Sequence, residues 1–269
     1  MKKRLRINVL IPYMDGEYYG TIFTELLKEA GRRDAILFAI QTQPSAGFAD
    51  FFDYRIGTDT ADGWILLTNP NTSHPASPEL LEAIGATGKP VVTIGYREAR
   101  IPCHSVIIDN RNAIREVVRH LVREHGHRQI AFVGAQDHID LVERFEGYRE
   151  ALEESGLPLL DHLVYRVHDS LRQGGINAAR QMLARGIDFT AVVASTDLNA
   201  DGLIETLQAA GIRIPGDIAV VGFDDLPSSA ENEPPLASVH QPIAELARTA
   251  ADVLFRRIDG EDWPGDVTL

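Results

Sequence analysis

The sequence predicts an α/β protein of two similar lobes, each a parallel sheet flanked by helices, with a ligand cleft between them. Three observations carry this reading. Short apolar runs alternate with helix-period segments from end to end, the pattern of strands buried on both faces of parallel sheets. The alternation restarts near residues 124–126 and runs through a second series. Polar side chains stand just beyond the carboxyl ends of several apolar runs, where open α/β sheets bind ligands.

The elements follow in order. Residues 7–11 read as the first strand, and the next helix carries Ile22, Phe23, Leu26, Leu27 and Ala30 on its apolar face. A strand at 35–40 is followed by a less regular segment around 48–54, a strand at 63–67, a helix at 77–84 and a strand at 91–94. Residues 106–108 precede a helix opened by Asn110, with Ile114, Val117, Val118 and Leu121 at helical spacing and Gly126 as its C-cap.

The second series begins with a strand at 130–133 and a helix at 142–154, stopped by Gly156 and Pro158. A strand at 163–167, a helix at 174–184 ended by Gly186, and a strand at 191–194 come next. Asp197 caps a helix carrying Leu203, Ile204 and Leu207. Pro215 and Gly216 break that helix, and the apolar run 218–221 closes the series. Gly222 lets the backbone turn tightly, leaving Asp224 and Asp225 at the strand's carboxyl end. A last amphipathic helix at 242–258 turns Ile243, Leu246, Ala250, Val253 and Leu254 inward, and residues 238–242 carry the chain back to the first lobe. The predicted lobes are 1–124 with 241–262, and 125–240 with 263–269.

Composition excludes several functions. A chain of 269 residues with 44% hydrophobic and 24% charged side chains can bury a full core. Its net charge of -13 argues against a nucleic-acid surface, which needs clustered Lys and Arg. Cys103 is the sole cysteine, so no disulfide framework exists and a reducing, cytoplasmic home is expected. The basic lead at residues 1–6 precedes only a short apolar run, broken by Asn8 and Pro12, which reads as a strand and not a signal peptide. No run approaches the roughly 18 apolar residues of a membrane span.

Catalytic and cofactor signatures fail. No dinucleotide fingerprint and no nucleophile elbow is present, and Gly85-Ala-Thr-Gly-Lys-Pro has a misplaced first glycine and Pro90 where a phosphate loop needs Ser or Thr. His120, His125 and His127 cluster, but Gly126 breaks the helix between them, so no shared metal-binding face and no metal are expected. Cys103 reads as a packed thiol. Asp224 and Asp225 are a poor acid–base pair, because adjacent residues rarely face one substrate together. A non-catalytic protein with no cofactor is the expectation.

What remains is a set of polar and aromatic residues at strand ends. Met14, Tyr18 and Tyr19 follow the first strand, Arg144 opens the helix after 130–133, Thr196 and Asp197 follow 191–194, and Asp224 follows 218–221. A carboxylate and a guanidinium can grip hydroxyls or ring nitrogens from opposite lobes, while a tyrosine ring covers an apolar face. The competing readings are core packing for the tyrosines, a surface ion pair for Arg144, a helix cap for Asp197 and a turn cap for Asp225.

Several segments, in order, resemble the effector-binding domain of the LacI/GalR family of bacterial transcription regulators. They are Asp62-Gly63-Trp64-Ile65-Leu66, Val106-Ile107-Ile108-Asp109-Asn110, His120-Leu121 with Gly126-His127-Arg128-Gln129-Ile130-Ala131, and Arg144-Phe145-Glu146-Gly147-Tyr148. Ser195-Thr196-Asp197, the stretch 214–225 and Pro235-Leu236-Ala237-Ser238-Val239 complete the set. The resemblance implies a periplasmic-binding-protein-like type I fold whose chain crosses three times between lobes. It also implies a homodimer and a small polar effector, a sugar or a nucleoside-like compound. By the same resemblance, Arg144 and Asp224 match the principal effector contacts, Tyr18 and Tyr19 the aromatic pair, and Asn112 a weaker position. Thr196 departs from the family's usual Asn, removing an amide that donates and accepts at once.

Family members open with a helix-turn-helix and continue past the last strand, so the sequence reads as a sensor domain whose output module lies upstream or downstream. DNA is then reached only through a module outside these residues. The alternatives are an N-terminal sensor of a multidomain signalling protein, or a transporter's solute-binding protein.

Overall fold

Residues 4–42, 60–67, 78–135 and 138–269 are described by a computed structural model of the chain. In chain order they form β1 (Arg6–Ile11), α1 (Glu17–Arg32), β2 (Ile36–Gln41), β3 (Gly63–Leu66), α2 (Pro78–Ala86), β4 (Val91–Ile94), β5 (His104–Ile107) and α3 (Asn110–Arg123). Then come β6 (Ile130–Gly134), α4 (Ile139–Glu154), β7 (Val164–Arg166), α5 (Arg172–Arg185), β8 (Ala191–Ala194) and α6 (Asp197–Ala209). The chain ends with β9 (Ala219–Asp224), β10 (Ala237–His240), α7 (Ile243–Ile258) and β11 (Val267–Thr268). The predicted irregular segment at 48–54 lies outside the described residues.

These elements build two units, Met1–Ile108 with Pro242–Leu269 and the uninterrupted Asp109–Gln241. The first holds a sheet ordered β11-β5-β4-β3-β1-β2, the second a sheet ordered β10-β9-β8-β6-β7. Every paired strand is parallel. Unbroken apolar runs therefore sit where both faces are covered, as in β3, β4 and β8, all of whose residues are buried.

In the first unit α7 lies along α1 and against β3, β4 and β5, burying Leu246, Ala247, Ala250, Val253 and Leu254. On α1 the buried face is Ile22, Leu26, Glu29 and Ala30. Leu27, expected inside, is 45% exposed. Glu29 takes the inner position because Arg32 and Arg33 pair with its carboxylate.

The predicted lobe boundaries need correction at both ends. Helix α3 belongs to the second unit, so the division falls after Ile108 and not at 124. Its apolar face, Ile114, Val118, Leu121 and Val122, is spent against α4, β8 and β10. Residues 263–269 belong to the first unit, because β11 pairs with β5 and Asp266 accepts a hydrogen bond from the Ser105 amide at 2.9 Å. Within these residues the chain passes between units twice, after Ile108 and after Gln241. Residues 238–240, read as part of a return segment, lie in the edge strand β10, registered on β9. No described helix is long and apolar enough to cross a membrane.

Candidate ligand-binding site

Strands β6, β7, β8 and β9 run parallel, so their carboxyl ends share one edge of the second sheet. Arg144 and Asp224 meet there, both from the second unit and not from opposite lobes as expected, because α4 packs beside the strand end that carries Asp224. Arg144 rises from the second turn of α4 and is almost wholly buried. Its Nε donates to Asn110 Oδ1 at 2.9 Å, its Nη1 donates to the Ser195 carbonyl at 2.5 Å, and its guanidinium stacks 3.6 Å from the Phe223 ring centre. Such a cation–aromatic contact, desolvated on one side, fixes the plane of the fork.

Asp224 ends β9, and its Oδ1 lies 3.5 Å from Arg144 Nη1. Burial pushes this carboxyl up to about 7, against the pull of Arg144 and with help from the like charges of Asp197 and Asp140. On the other side of the guanidinium, Asp140 Oδ2 is 3.9 Å from Nη2, beyond hydrogen-bond distance. Burial opposes the charge of Asp140 too, but His138 and Arg144 outweigh it and hold the carboxyl below its ordinary value. Among the described residues, Nη2 of Arg144 and Oδ2 of Asp224 make no hydrogen bond within the protein. A donor and an acceptor are thus left over in a buried pair, an arrangement suited to a hydroxyl-bearing ligand.

Two residues of this cluster escaped the sequence reading. Asp140 is legible in hindsight, being four residues before Arg144 on one helix face. Asn110 is not, since its contact with Arg144 spans 34 residues of chain. Asn112, given by the resemblance as a weaker contact position, is exposed, accepts from Arg115 through its side-chain oxygen and gives its backbone amide to the Asp109 cap.

Thr196 also differs from expectation. Its hydroxyl donates to the Ser170 carbonyl at 2.8 Å and accepts from the Asn199 amide at 3.1 Å, so Thr196 is the cap of α6 and has no proton to offer a ligand. Asp197, expected as that cap, instead turns its carboxylate toward the segment between β9 and β10. Gly222 is not the turn. It lies within β9, where a Cβ would collide with Asp197 Oδ1, and the positive φ values fall on Asp224 (121°) and Asp225 (53°).

In the first unit, Tyr18 and Tyr19 open α1 and pack edge to face at 4.9 Å, with Tyr13 6.0 Å from Tyr19. Both tyrosines of the pair are half-buried, and Met14 is 42% exposed. The histidines come closer than the sequence suggested, because the turn at Gly126 folds back on α3. His120 and His125 bring their Nε2 atoms to 3.1 Å, and His127 bonds Thr190.

Comparison with known proteins places this architecture in a class. The periplasmic binding protein-like domain family matches residues 118–269. Catabolite control protein A of Priestia megaterium is 32% identical over 263 residues, which cover 97% of this chain and 77% of that protein. This chain belongs to the periplasmic binding protein-like family, in the form carried by LacI/GalR transcriptional regulators. The HTH-type transcriptional regulator CelR of Thermobifida fusca is 37% identical over 202 residues, covering 73% of this chain and 57% of its own. A solved transcriptional regulator CelR–cellobiose complex superposes with a TM-score of 0.86 at 29% identity, over 100% of this chain and 83% of that one. The chain spans about half the length of the first curated relatives it matches.

Proposed function

We propose that this chain is the non-catalytic, effector-sensing part of a LacI/GalR-type regulator and that its effector is a carbohydrate. The observation that carries the reading is the buried Arg144–Asp224 pair, with a donor and an acceptor left over at the carboxyl edge of the second sheet. Sugar hydroxyls donate and accept at once, which suits such a pair better than an all-acceptor anion, given the neighbouring carboxylates of Asp140 and Asp224. The relative solved with cellobiose makes a glucose disaccharide the first compound to try. Tyr18, Tyr19 and Met14 are proposed as further contacts on their aromatic and apolar exposure alone.

The role would be a switch. Effector binding shifts a two-state equilibrium by as much as its affinity differs between the states, and DNA is reached through a separate module. A homodimer is part of the proposal, checked by sedimentation of the purified chain.

The test is a thermal-shift screen against mono- and disaccharides, sugar phosphates, nucleosides and purines, followed by calorimetry. A ligand at about 100 times its dissociation constant adds roughly 2.7 kcal/mol of stability. Stabilisation by one carbohydrate class, lost in Asp224→Ala, is the expected result. Stabilisation only by purines or nucleosides would refute the carbohydrate reading, and binding that survives both Arg144→Ala and Asp224→Ala would remove the pair from the site.

A further inference from the structure

The least expected use of a charged side chain in the second unit is that of Asp197. It is fully buried at the first position of α6, yet the cap of that helix is Thr196. Both oxygens of Asp197 leave their own helix. Oδ1 accepts from Ser238 Oγ at 2.5 Å on β10, while Oδ2 accepts from the Leu226 amide at 2.9 Å and from Ser229 Oγ at 2.6 Å. Ser238 Oγ accepts in turn from the Asp225 amide at 3.0 Å. Within β9, Gly222 leaves room for the carboxylate, where any Cβ would collide with it.

These bonds converge on the two residues whose backbone needs holding. Asp224 and Asp225 have φ of 121° and 53°, a region that L-residues adopt only when their surroundings impose it. Asp224 is also held by its place opposite His240 in the β9–β10 ladder, by a 3.4 Å bond from the Gln241 amide to its carbonyl and by Arg144, while Asp225 otherwise has a bond between its exposed side chain and that of His240. We propose that Asp197 is the positioning residue of the ligand site: through Ser238 and the Leu226 amide it holds the left-handed turn that aims the Asp224 carboxyl at Arg144. Burial raises the pKa of Asp197 against the pull of its three donors, so its buried carboxylate is maintained by this clamp and not by an ion pair. The charged groups that face Asp224 are Arg144 and Asp140 on α4 and Asp197 on α6.

The inference rests on Asp224 being a ligand contact, but its test uses no ligand, so failure of the sugar screen is a separate outcome. The full chain, carrying aspartate labelled with carbon-13 at the carboxyl, is titrated by NMR, with the Asp224 signal assigned by its loss in Asp224→Asn. The native midpoint should lie near 7. In Ser238→Ala, which breaks the link without changing any charge, the midpoint should fall by about one pH unit or more as the carboxyl leaves its buried position. Ser238→Thr, which keeps the hydroxyl, should restore it. Asp197→Asn should lower it at least as far. A folded Ser238→Ala protein with an unmoved Asp224 midpoint would overturn the proposal, as would a native midpoint in the ordinary carboxylate range. Were Ser238→Ala not to fold, an unmoved midpoint in Asp197→Asn, which weakens both the Ser238 and the Leu226 bonds, would overturn it equally.

Discussion

The Asp224 carboxyl lies between forces of opposite sign, and its titration should therefore reveal the site before any ligand is known. Its folded pKa of about 7 stands above the ordinary value near 4. Between those limits the folded chain binds a proton that the unfolded chain has released, so this residue's contribution to stability falls as pH rises from about 4 to about 7, by at most about 1.4 kcal/mol per pH unit. Asp140 works the other way, since its depressed pKa means stability lost as pH falls. The difference between the native chain and Asp224→Asn in chemical denaturation isolates the first effect, and a pH-independent difference would contradict it. Binding should show the opposite slope. If ligand hydroxyls donate to the ionised carboxylate, affinity rises from pH 6 toward 8 in calorimetry, and Asp224→Asn flattens the profile. Arg144→Lys should weaken binding by roughly 1.5–3 kcal/mol, because a point charge cannot bond Asn110, bond the Ser195 carbonyl and stack on Phe223 at once.

The two helices that carry Arg144 and Asn110 must be held close for these bonds to form. Gly147 permits it, since a Cβ there would collide with the Arg111 carbonyl on α3. Gly147→Ala should cost roughly 1–3 kcal/mol of stability by urea denaturation, the range for overpacking, and should also lower ligand affinity by displacing Asn110 from Arg144. Loss of stability with unchanged affinity would show that the helix spacing and the site are independent. At this scale the sequence was informative about existence and type of elements. Unbroken apolar runs gave β6 and β8, and the heptad-like face of Ile114, Val118 and Leu121 gave α3. It misjudged which of Thr196 and Asp197 caps α6, because capping and reaching across to a neighbouring strand are both open to a short polar side chain, and only the strand's position decides.

Across the chain as a whole, continuity in sequence and continuity in space part company. Asp109–Gln241 is uninterrupted and has its own sheet and core, from Val133 and Tyr165 to Leu203 and Val220. Expressed alone, residues 109–241 should melt cooperatively by circular dichroism. Residues 1–108 alone should not, because the core of their unit includes Leu246, Ala250 and Leu254 of α7. A cooperative transition in that second fragment would refute this division of labour.

Amino-acid order alone determined the α/β class, the two parallel series and the placing of Arg144 and Asp224 beyond strand ends, because hydrophobic period and strand-end position are local properties. Tertiary structure alone decided that α3 joins the second unit and β11 the first, that Asn110 meets Arg144, and that Asp197 bonds Leu226, Ser229 and Ser238 instead of capping α6. Those choices rest on contacts between residues distant in the chain, whose energies depend on burial and on which donors happen to lie within bonding distance, and neither quantity is written in a local pattern.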